Sequence, residues 1–216
     1  MIIIFNGPPG SGKDEAASYF KRFGFKHLSF KYVLFKETIS FFGVDKEWFM
    51  KGYNDRSMKE RPEDLLDGMS RREAMIYVSE EVTKPAFGQD IFGVHVASEV
   101  EDDQNYAISD GGFEDELVPL INRVGADNIV LVQLTREGCD YSSDSRRYFN
   151  GKLIKEYVIQ KPTSINIDHV LPNQFPVRTY RVHNNGSVEE FHHILHDIYE
   201  KETNEQSKGK KEKLLA

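Results

Sequence analysis

Apolar runs and amphipathic stretches alternate along this 216-residue chain. Short, continuous apolar runs bounded by turn residues are typical of strands buried in a parallel sheet. They predict strands at residues 2–5, 27–30, 106–109, 129–134 and 179–182. Longer stretches with helical spacing predict helices at residues 13–22, 30–42, 70–83, 87–100, 114–124 and 187–199. This alternation predicts an α/β fold whose mostly parallel sheet is covered by helices.

Other segments break the alternation. Residues 45–69 are charged and aromatic, and we expect them to form an insertion over the core. Residues 152–176 have no regular pattern and are expected to be irregular. The charged tail, residues 202–216, is expected to be disordered. The rest, residues 1–201, is predicted to be one domain. Ser70 with Glu73, and Ser187 with Glu190, have the spacing of a helix capping box.

Composition narrows the classes of protein. The formal net charge of −7 argues against a wholly basic surface that coats nucleic acid. A single cysteine, Cys139, excludes an intrachain disulfide framework and a cysteine-based zinc cluster. No stretch approaches the ~20 apolar residues of a membrane span, and the first residues lack the pattern of a signal peptide. We therefore expect a cytoplasmic protein that has no membrane partner. The sequence leaves its oligomeric state open, a homodimer included.

A glycine-rich stretch, "GPPGSGKD", joins the first predicted strand to the first predicted helix. Such a loop cradles phosphate oxygens with its backbone N–H groups, and its lysine reaches the β- and γ-phosphates. A glycine-rich turn without a ligand would need neither three glycines at this spacing nor the lysine. The stretch therefore predicts ATP binding. The residues concerned are Gly7, Gly10, Ser11, Gly12 and Lys13.

Asp14 occupies the position at which this motif has Ser or Thr, whose hydroxyl would normally contact Mg²⁺. A carboxylate is also a hard oxygen ligand, so Asp14 could hold Mg²⁺ in place of the hydroxyl. It could instead act as a general base for the acceptor. The third interpretation is an acidic residue favoured by the helix dipole in the first turn.

Four blocks together carry a resemblance to a family: "GSGKD", "ISD" followed by "GFEDE", "TREG", and "NNGSVEEF". In order and spacing, over residues 1–199, the chain resembles the deoxynucleoside monophosphate kinases of bacteriophages. The resemblance implies a P-loop NTPase fold of the nucleoside-monophosphate-kinase type, a three-layer sandwich with a parallel five-stranded sheet. It also implies an acceptor-binding insertion at about 45–69, a lid at about 136–150, and the cofactors ATP and Mg²⁺.

The resemblance assigns roles to residues beyond the glycine-rich stretch. Asp110, after the strand that ends in "ISD", would bind Mg²⁺ together with Asp14 or orient the acceptor. Arg136, Arg146 and Arg147 lie in the lid, where arginines stabilise the charge of the transferring phosphoryl group. Arg136 would also contact ATP. The simpler interpretations are a capping Asp110 at a strand end and a solvated arginine loop.

Asn184, Asn185 and Gly186 follow the last predicted strand, where the resemblance implies contact with adenine. A turn leading into the last helix would explain them equally well. The candidate catalytic residues are Lys13, Asp14, Asp110, Arg136 and Arg146.

One departure from the family decides the expected acceptor. The family has an Arg two residues after the aspartate, where it grips the acceptor's phosphate, and this chain has Gly112. Losing that contact is tolerable if the acceptor is a hydroxyl group. We therefore expect the acceptor to be the hydroxymethyl group of 5-hydroxymethyluracil in phage DNA. The alternative is a kinase that makes dNDP from free dNMP, with Arg61, Arg71 or Arg72 as the clamp. A non-catalytic ATP-binding switch is a third class.

Two segments mix basic and aromatic residues, at 21–32 and 47–61. Such mixtures can grip phosphates and stack on an extruded base, and Trp48 is the candidate for stacking. The competing interpretation is that the aromatic residues belong to the core and the charges form a solvated face.

Overall fold

A computed structural model of the chain describes residues 1–142, 144–160 and 170–215. Its strands form a six-stranded sheet in the order β2-β3-β1-β4-β6-β5. They are β1 (Ile2–Asn6), β2 (Lys26–Leu28), β3 (Tyr106–Gly111), β4 (Ile129–Thr135), β5 (Tyr148–Val158) and β6 (Val170–His183). The pairings from β3 across to β5 are parallel. The prediction of an α/β fold with a parallel sheet is confirmed.

The six predicted helices are all found, with shifts at their ends. The helices are α1 (Lys13–Phe20), α2 (Lys31–Phe42), α3 (Lys46–Asn54), α4 (Arg56–Lys59), α5 (Arg71–Tyr77), α6 (Lys84–Phe87), α7 (Ile91–Ser98), α8 (Glu114–Val124) and α9 (Val188–Leu215). A π-helical segment, Val78–Thr83, joins α5 to α6. Both predicted capping boxes form, at Ser70 and at Ser187. Within the described ranges, no helix is both long and apolar enough to cross a membrane.

The chain divides into two compact units. The first comprises Met1–His27, Asp102–Glu114 and Val124–Ala216, and it contains the five strands β1, β3, β4, β5 and β6. All residues of β1 and β3 are buried, which explains their continuous apolar pattern. Helices α1 and α9 supply Phe20 and Leu195 to the core of this unit, where they are fully buried.

The second unit comprises Leu28–Glu101 and Asp115–Arg123. Its core contains Phe49 and Leu66, both fully buried, from the segment predicted as an insertion. This segment forms α3, α4 and a short 3-10 helix, and it belongs to a larger helical unit that also contains α2 and α5. The prediction of one domain over residues 1–201 with a small insertion therefore understated the size of this second unit.

The sheet has six strands, so the expected number of five was wrong. Strand β5 covers the end of the predicted lid and the start of the segment predicted as irregular, and β6 begins nine residues before the predicted strand. Strand β5 lies at the edge of the sheet, and most of its side chains are exposed. An edge strand needs no continuous apolar run, so its pattern resembles a loop. The remainder of that segment, residues 161–169, lies outside the described residues.

The tail forms a helix, contrary to the predicted disorder, because α9 continues to Leu215. Its charged residues include Glu202, which is fully buried. The Tyr180 hydroxyl donates a hydrogen bond to Glu202 (2.6 Å), and the Arg178 guanidinium lies 2.8 Å from the same carboxylate. The composition of the tail indicates disorder, but composition does not show that one of its carboxylates has partners on β6. Residue 216 lies outside the described residues.

Candidate functional site

The glycine loop, Gly7–Gly12, connects the end of β1 to the first turn of α1. Gly10 and Gly12 have φ angles of +84° and +105°, in the left-handed region that favours glycine. A Cβ atom at Gly7 would lie 2.5 Å from the carbonyl oxygen of Leu134, and one at Gly12 would lie 2.7 Å from Nδ2 of Asn184. The loop therefore requires glycine at these positions because of both its conformation and its packing.

Lys13 and Ser11 are the polar side chains of this loop. The Lys13 ammonium donates hydrogen bonds to the carbonyl oxygens of Gly7 (2.6 Å) and Pro8 (2.7 Å). The Ser11 hydroxyl is buried and has no hydrogen-bond partner among the described residues. A buried hydroxyl without a partner costs about 1–3 kcal/mol, so it points to a polar ligand. The glycine loop, the Lys13 ammonium and the Ser11 hydroxyl together have the chemistry that a phosphate-binding site requires.

The two asparagines after β6 make hydrogen bonds within the protein. The Asn184 amide donates to the carbonyl oxygen of Ser11 (3.0 Å), and this bond holds the glycine loop against the end of β6. Asn185 accepts from the backbone N–H of Glu137 (2.8 Å) and donates to the carbonyl oxygen of Gln160 (3.2 Å). These bonds hold the end of β6 beside the loop. Contact between Asn185 and adenine stays a prediction.

The two candidate carboxylates differ in exposure. Asp110 lies at the end of β3 and is buried, whereas Asp14 is exposed in the first turn of α1. Mg²⁺ usually binds one or two carboxylates and completes its coordination with water and phosphate oxygens. Asp14 and Asp110 have the ligand chemistry for such a site, and their contact with Mg²⁺ stays a prediction. Over the described part of the chain, no group of three or more His, Cys, Asp or Glu residues is arranged to hold a metal ion.

The predicted lid carries its arginines in different environments. Arg136 and Arg147 are exposed, whereas the Arg146 side chain is largely buried. The Arg146 guanidinium forms a bidentate pair with Asp144, with distances of 2.9 Å (Nε–Oδ1) and 2.5 Å (Nη2–Oδ2). Burial lowers the pKa of Arg146, but the hydrogen bonds and charge of Asp144 outweigh burial and raise it above the ordinary value. Arg146 is therefore charged throughout the physiological range.

Gly112, where the resemblance expects an arginine, is covered by the side chain of Arg146. A Cβ atom at Gly112 would lie 2.6 Å from Cβ and 2.9 Å from Cδ of Arg146. The backbone N–H of Arg147 donates to the carbonyl oxygen of Gly112 (3.0 Å). The chain thus has a guanidinium group next to this position, but it comes from the lid segment rather than from the residue after β3.

Asn6 is a site residue that the sequence analysis missed. It is fully buried at the end of β1, and its amide donates to the carbonyl oxygens of Gly111 (3.2 Å) and Arg147 (2.8 Å) and to the Tyr141 hydroxyl (3.2 Å). Its carbonyl accepts from the backbone N–H of Phe149 (2.8 Å). Asn6 therefore ties the ends of β1 and β3 to the lid segment. An asparagine directly after a buried apolar strand was the available signal.

A second unpredicted group joins the ends of three strands. His183 on β6 is buried, and its Nδ1 lies 2.6 Å from the Thr135 hydroxyl, while its Nε2 lies 2.8 Å from Glu156. The hydrogen bond with His183 outweighs the effect of burial and lowers the pKa of Glu156. This group fixes Thr135, the residue directly before Arg136. Sequence reasoning missed it because its members are far apart along the chain.

The basic and aromatic segments pack internally. Phe23 stacks on Tyr199, with ring centroids 4.0 Å apart. The Arg71 guanidinium carbon lies 4.1 Å from the centroid of the Trp48 ring. Arg71 is fully buried and bonds Glu63 (3.0 Å), while its Nε and Nη2 have no hydrogen-bond partner among the described residues. Its role as the alternative acceptor clamp stays a prediction. Phe25, Phe30 and Phe49 are buried core residues, whereas Tyr32 is 49% exposed. Stacking of Trp48 on a base stays a prediction.

The other two alternative clamps lie on the surface of the second unit. Arg72 is 3.6 Å from Glu60, and Arg61 is exposed. Neither shows a feature that distinguishes it from an ordinary surface arginine.

Comparison with known proteins assigns neither a family nor a function to the chain. No protein-family model matches the chain, and no curated protein matches it significantly. The functional argument therefore depends on the residues themselves.

Proposed function

We propose that the protein is an ATP-dependent phosphotransferase of the P-loop kinase type that acts on a nucleotide. The observation that carries this proposal is the glycine loop, which presents Lys13 and the unpartnered hydroxyl of Ser11 at the N-terminus of α1. Helix N-termini and the N–H groups of such loops attract phosphate. The loop lies at the carboxyl end of a central parallel strand, where α/β sheets bind their ligands.

Each candidate residue has a role in this reaction. The loop would hold the triphosphate, and the Lys13 ammonium would exchange the carbonyl oxygens of Gly7 and Pro8 for phosphate oxygens. Mg²⁺ supplies charge neutralisation when bound, and Asp14 and Asp110 are the residues that would hold it.

The acceptor hydroxyl must lose a proton, which Asp14 or Asp110 could accept. Arg136 and Arg146 would stabilise the charge that spreads over the transferring phosphoryl group.

The acceptor that we favour is the hydroxymethyl group of 5-hydroxymethyluracil in phage DNA, modified in the cytoplasm of the infected cell. The resemblance supports it, and so does the engagement of the Arg146 guanidinium by Asp144. The second candidate is the conversion of dNMP to dNDP. It is favoured by the packing of Arg146 over Gly112, two residues after Asp110, because release of Asp144 would leave a guanidinium group there for an acceptor phosphate.

The test is phosphoryl transfer from labelled ATP, offered separately to dNMPs and to duplex DNA that contains hydroxymethyluracil. Label on the DNA supports the favoured acceptor, and label on a dNMP supports the second candidate. Lys13→Ala should lower transfer at least ~100-fold, because it removes a charged contact to the phosphates. It should fold normally. The exposed Lys21→Ala is the matched control and should retain activity. Near-normal turnover in Lys13→Ala would refute the proposal.

A further inference from the structure

Asp144 and Arg146 form a largely buried ion pair at the carboxyl end of the sheet. Besides the two bonds to the guanidinium, the backbone N–H of Arg146 donates to Oδ1 of Asp144 (3.0 Å). The two side chains are only 11% and 6% exposed. Bidentate pairs of this kind are among the strongest hydrogen-bonded contacts in proteins, and a phosphate group binds a guanidinium in the same way. Asp144 therefore occupies the contact that a phosphate monoester would use.

The pair is fixed in position by backbone contacts. Arg147, the next residue, donates to the carbonyl oxygen of Gly112 and accepts from the Asn6 amide, so the segment is attached to the ends of β3 and β1. The aliphatic part of Arg146 lies directly over Gly112. The carboxyl ends of parallel strands are where ligands bind in such sheets, so the guanidinium lies at the binding edge.

Charge at this edge disfavours a second anion. Asp110, at the end of β3, acts on the Arg146 guanidinium and contributes to raising its pKa. Asp144 and Asp110 therefore both place negative charge near this guanidinium. A phosphate monoester would have to compete with Asp144 for the Arg146 guanidinium and would meet the repulsion of that carboxylate. A neutral hydroxyl group meets neither obstacle, and such built-in repulsion is a common source of specificity.

We infer that Asp144 is a specificity-determining residue, which keeps phosphate monoesters away from the Arg146 guanidinium and so restricts the acceptor to a hydroxyl group. This inference rests on the proposed function, in which this edge of the sheet receives the acceptor. It predicts that a single carboxylate, rather than the absence of an arginine, excludes free mononucleotides.

The experiment is calorimetric titration of the wild type and Asp144→Asn with thymidine monophosphate and with thymidine. Asp144→Asn removes the charge but keeps one acceptor for Arg146, and it should bind thymidine monophosphate at least ~10-fold more tightly than the wild type. Thymidine, which has no phosphate, should bind both proteins equally. Asp140→Asn, an exposed carboxylate of the same segment, is the matched control and should show no gain. The double variant Asp144→Asn/Arg146→Gln should bind thymidine monophosphate no more tightly than the wild type does.

Equal affinity of Asp144→Asn and the wild type for thymidine monophosphate would overturn the inference. A gain that is as large for thymidine would also overturn it, because the phosphate would then not be the group that is recognised. If Asp144→Asn does not fold, titration of the wild type alone is the test. A Kd for thymidine monophosphate below ~0.1 mM would contradict the inference. Titration of the wild type with a non-hydrolysable ATP analogue tests the proposed function separately, because failure to bind it would refute ATP use whatever the acceptor result.

Discussion

Asn6 has four hydrogen bonds, one to the end of β3 and three to the lid segment. We expect Asn6→Ala to lower the free energy of unfolding by about 3 kcal/mol, because buried partners lose their hydrogen bonds. The lid segment should also become less protected from amide exchange. Urea unfolding measures the first effect and hydrogen exchange the second. Asn122→Ala, on the exposed face of α8, should change stability by no more than about 0.5 kcal/mol. Equal costs for the two variants would contradict the connecting role of Asn6.

At the scale of elements, the attachment of α9 to β6 through Glu202 can be tested directly. Glu202→Ala leaves the Arg178 guanidinium and the Tyr180 hydroxyl without their shared acceptor. We expect a loss of about 3 kcal/mol in the free energy of unfolding, as for other ion pairs in which one member is fully buried. Glu205→Ala changes an exposed carboxylate of the same helix and should cost less than 0.5 kcal/mol, a typical surface value. If the two variants lower the denaturant midpoint equally, Glu202 does not attach α9 to β6.

The elements also show which parts of the structure a sequence can reveal. Strands β1, β3 and β4 are central and buried on both faces, so their residues form continuous apolar runs. Strand β5 is an exposed edge strand without such a run. The glycine loop was predicted because its residues are contiguous. The contacts of Asn6 and the Thr135–His183–Glu156 group join distant segments, and only the folded chain brings them together.

The stability of the whole molecule towards acid should depend on Asp197. Burial raises the pKa of Asp197, but hydrogen bonds from Lys201 (2.7 Å), Tyr157 and Lys155 (3.3 Å) outweigh burial and lower it to about 2. Its ordinary value, and so its value in the unfolded chain, is 3.8. A carboxylate with a depressed folded pKa stabilises the fold above its unfolded pKa, and the contribution disappears as the pH falls through the folded pKa.

The free-energy difference between the wild type and Asp197→Asn should therefore be constant above pH ~4 and vanish as the pH approaches ~2. Urea unfolding at several pH values measures it. Because the side chain is partly exposed, the difference should be small, within ~1 kcal/mol at neutral pH. A difference that does not change between pH ~6 and ~2 would show that Asp197 has no special role in acid stability.

The position of β1 in the middle of the sheet governs how the nascent chain is assembled. Ile2 pairs with Tyr106 on one side and with Ile129 on the other, so the central strand is synthesised well before either neighbour. At ribosomal rates of roughly 5–20 residues per second, this apolar strand waits on the order of ten seconds with both edges unpaired. Unpaired apolar strands attract other chains. A ribosome that pauses between β1 and β3 is therefore expected to lengthen the interval in which aggregation competes with folding.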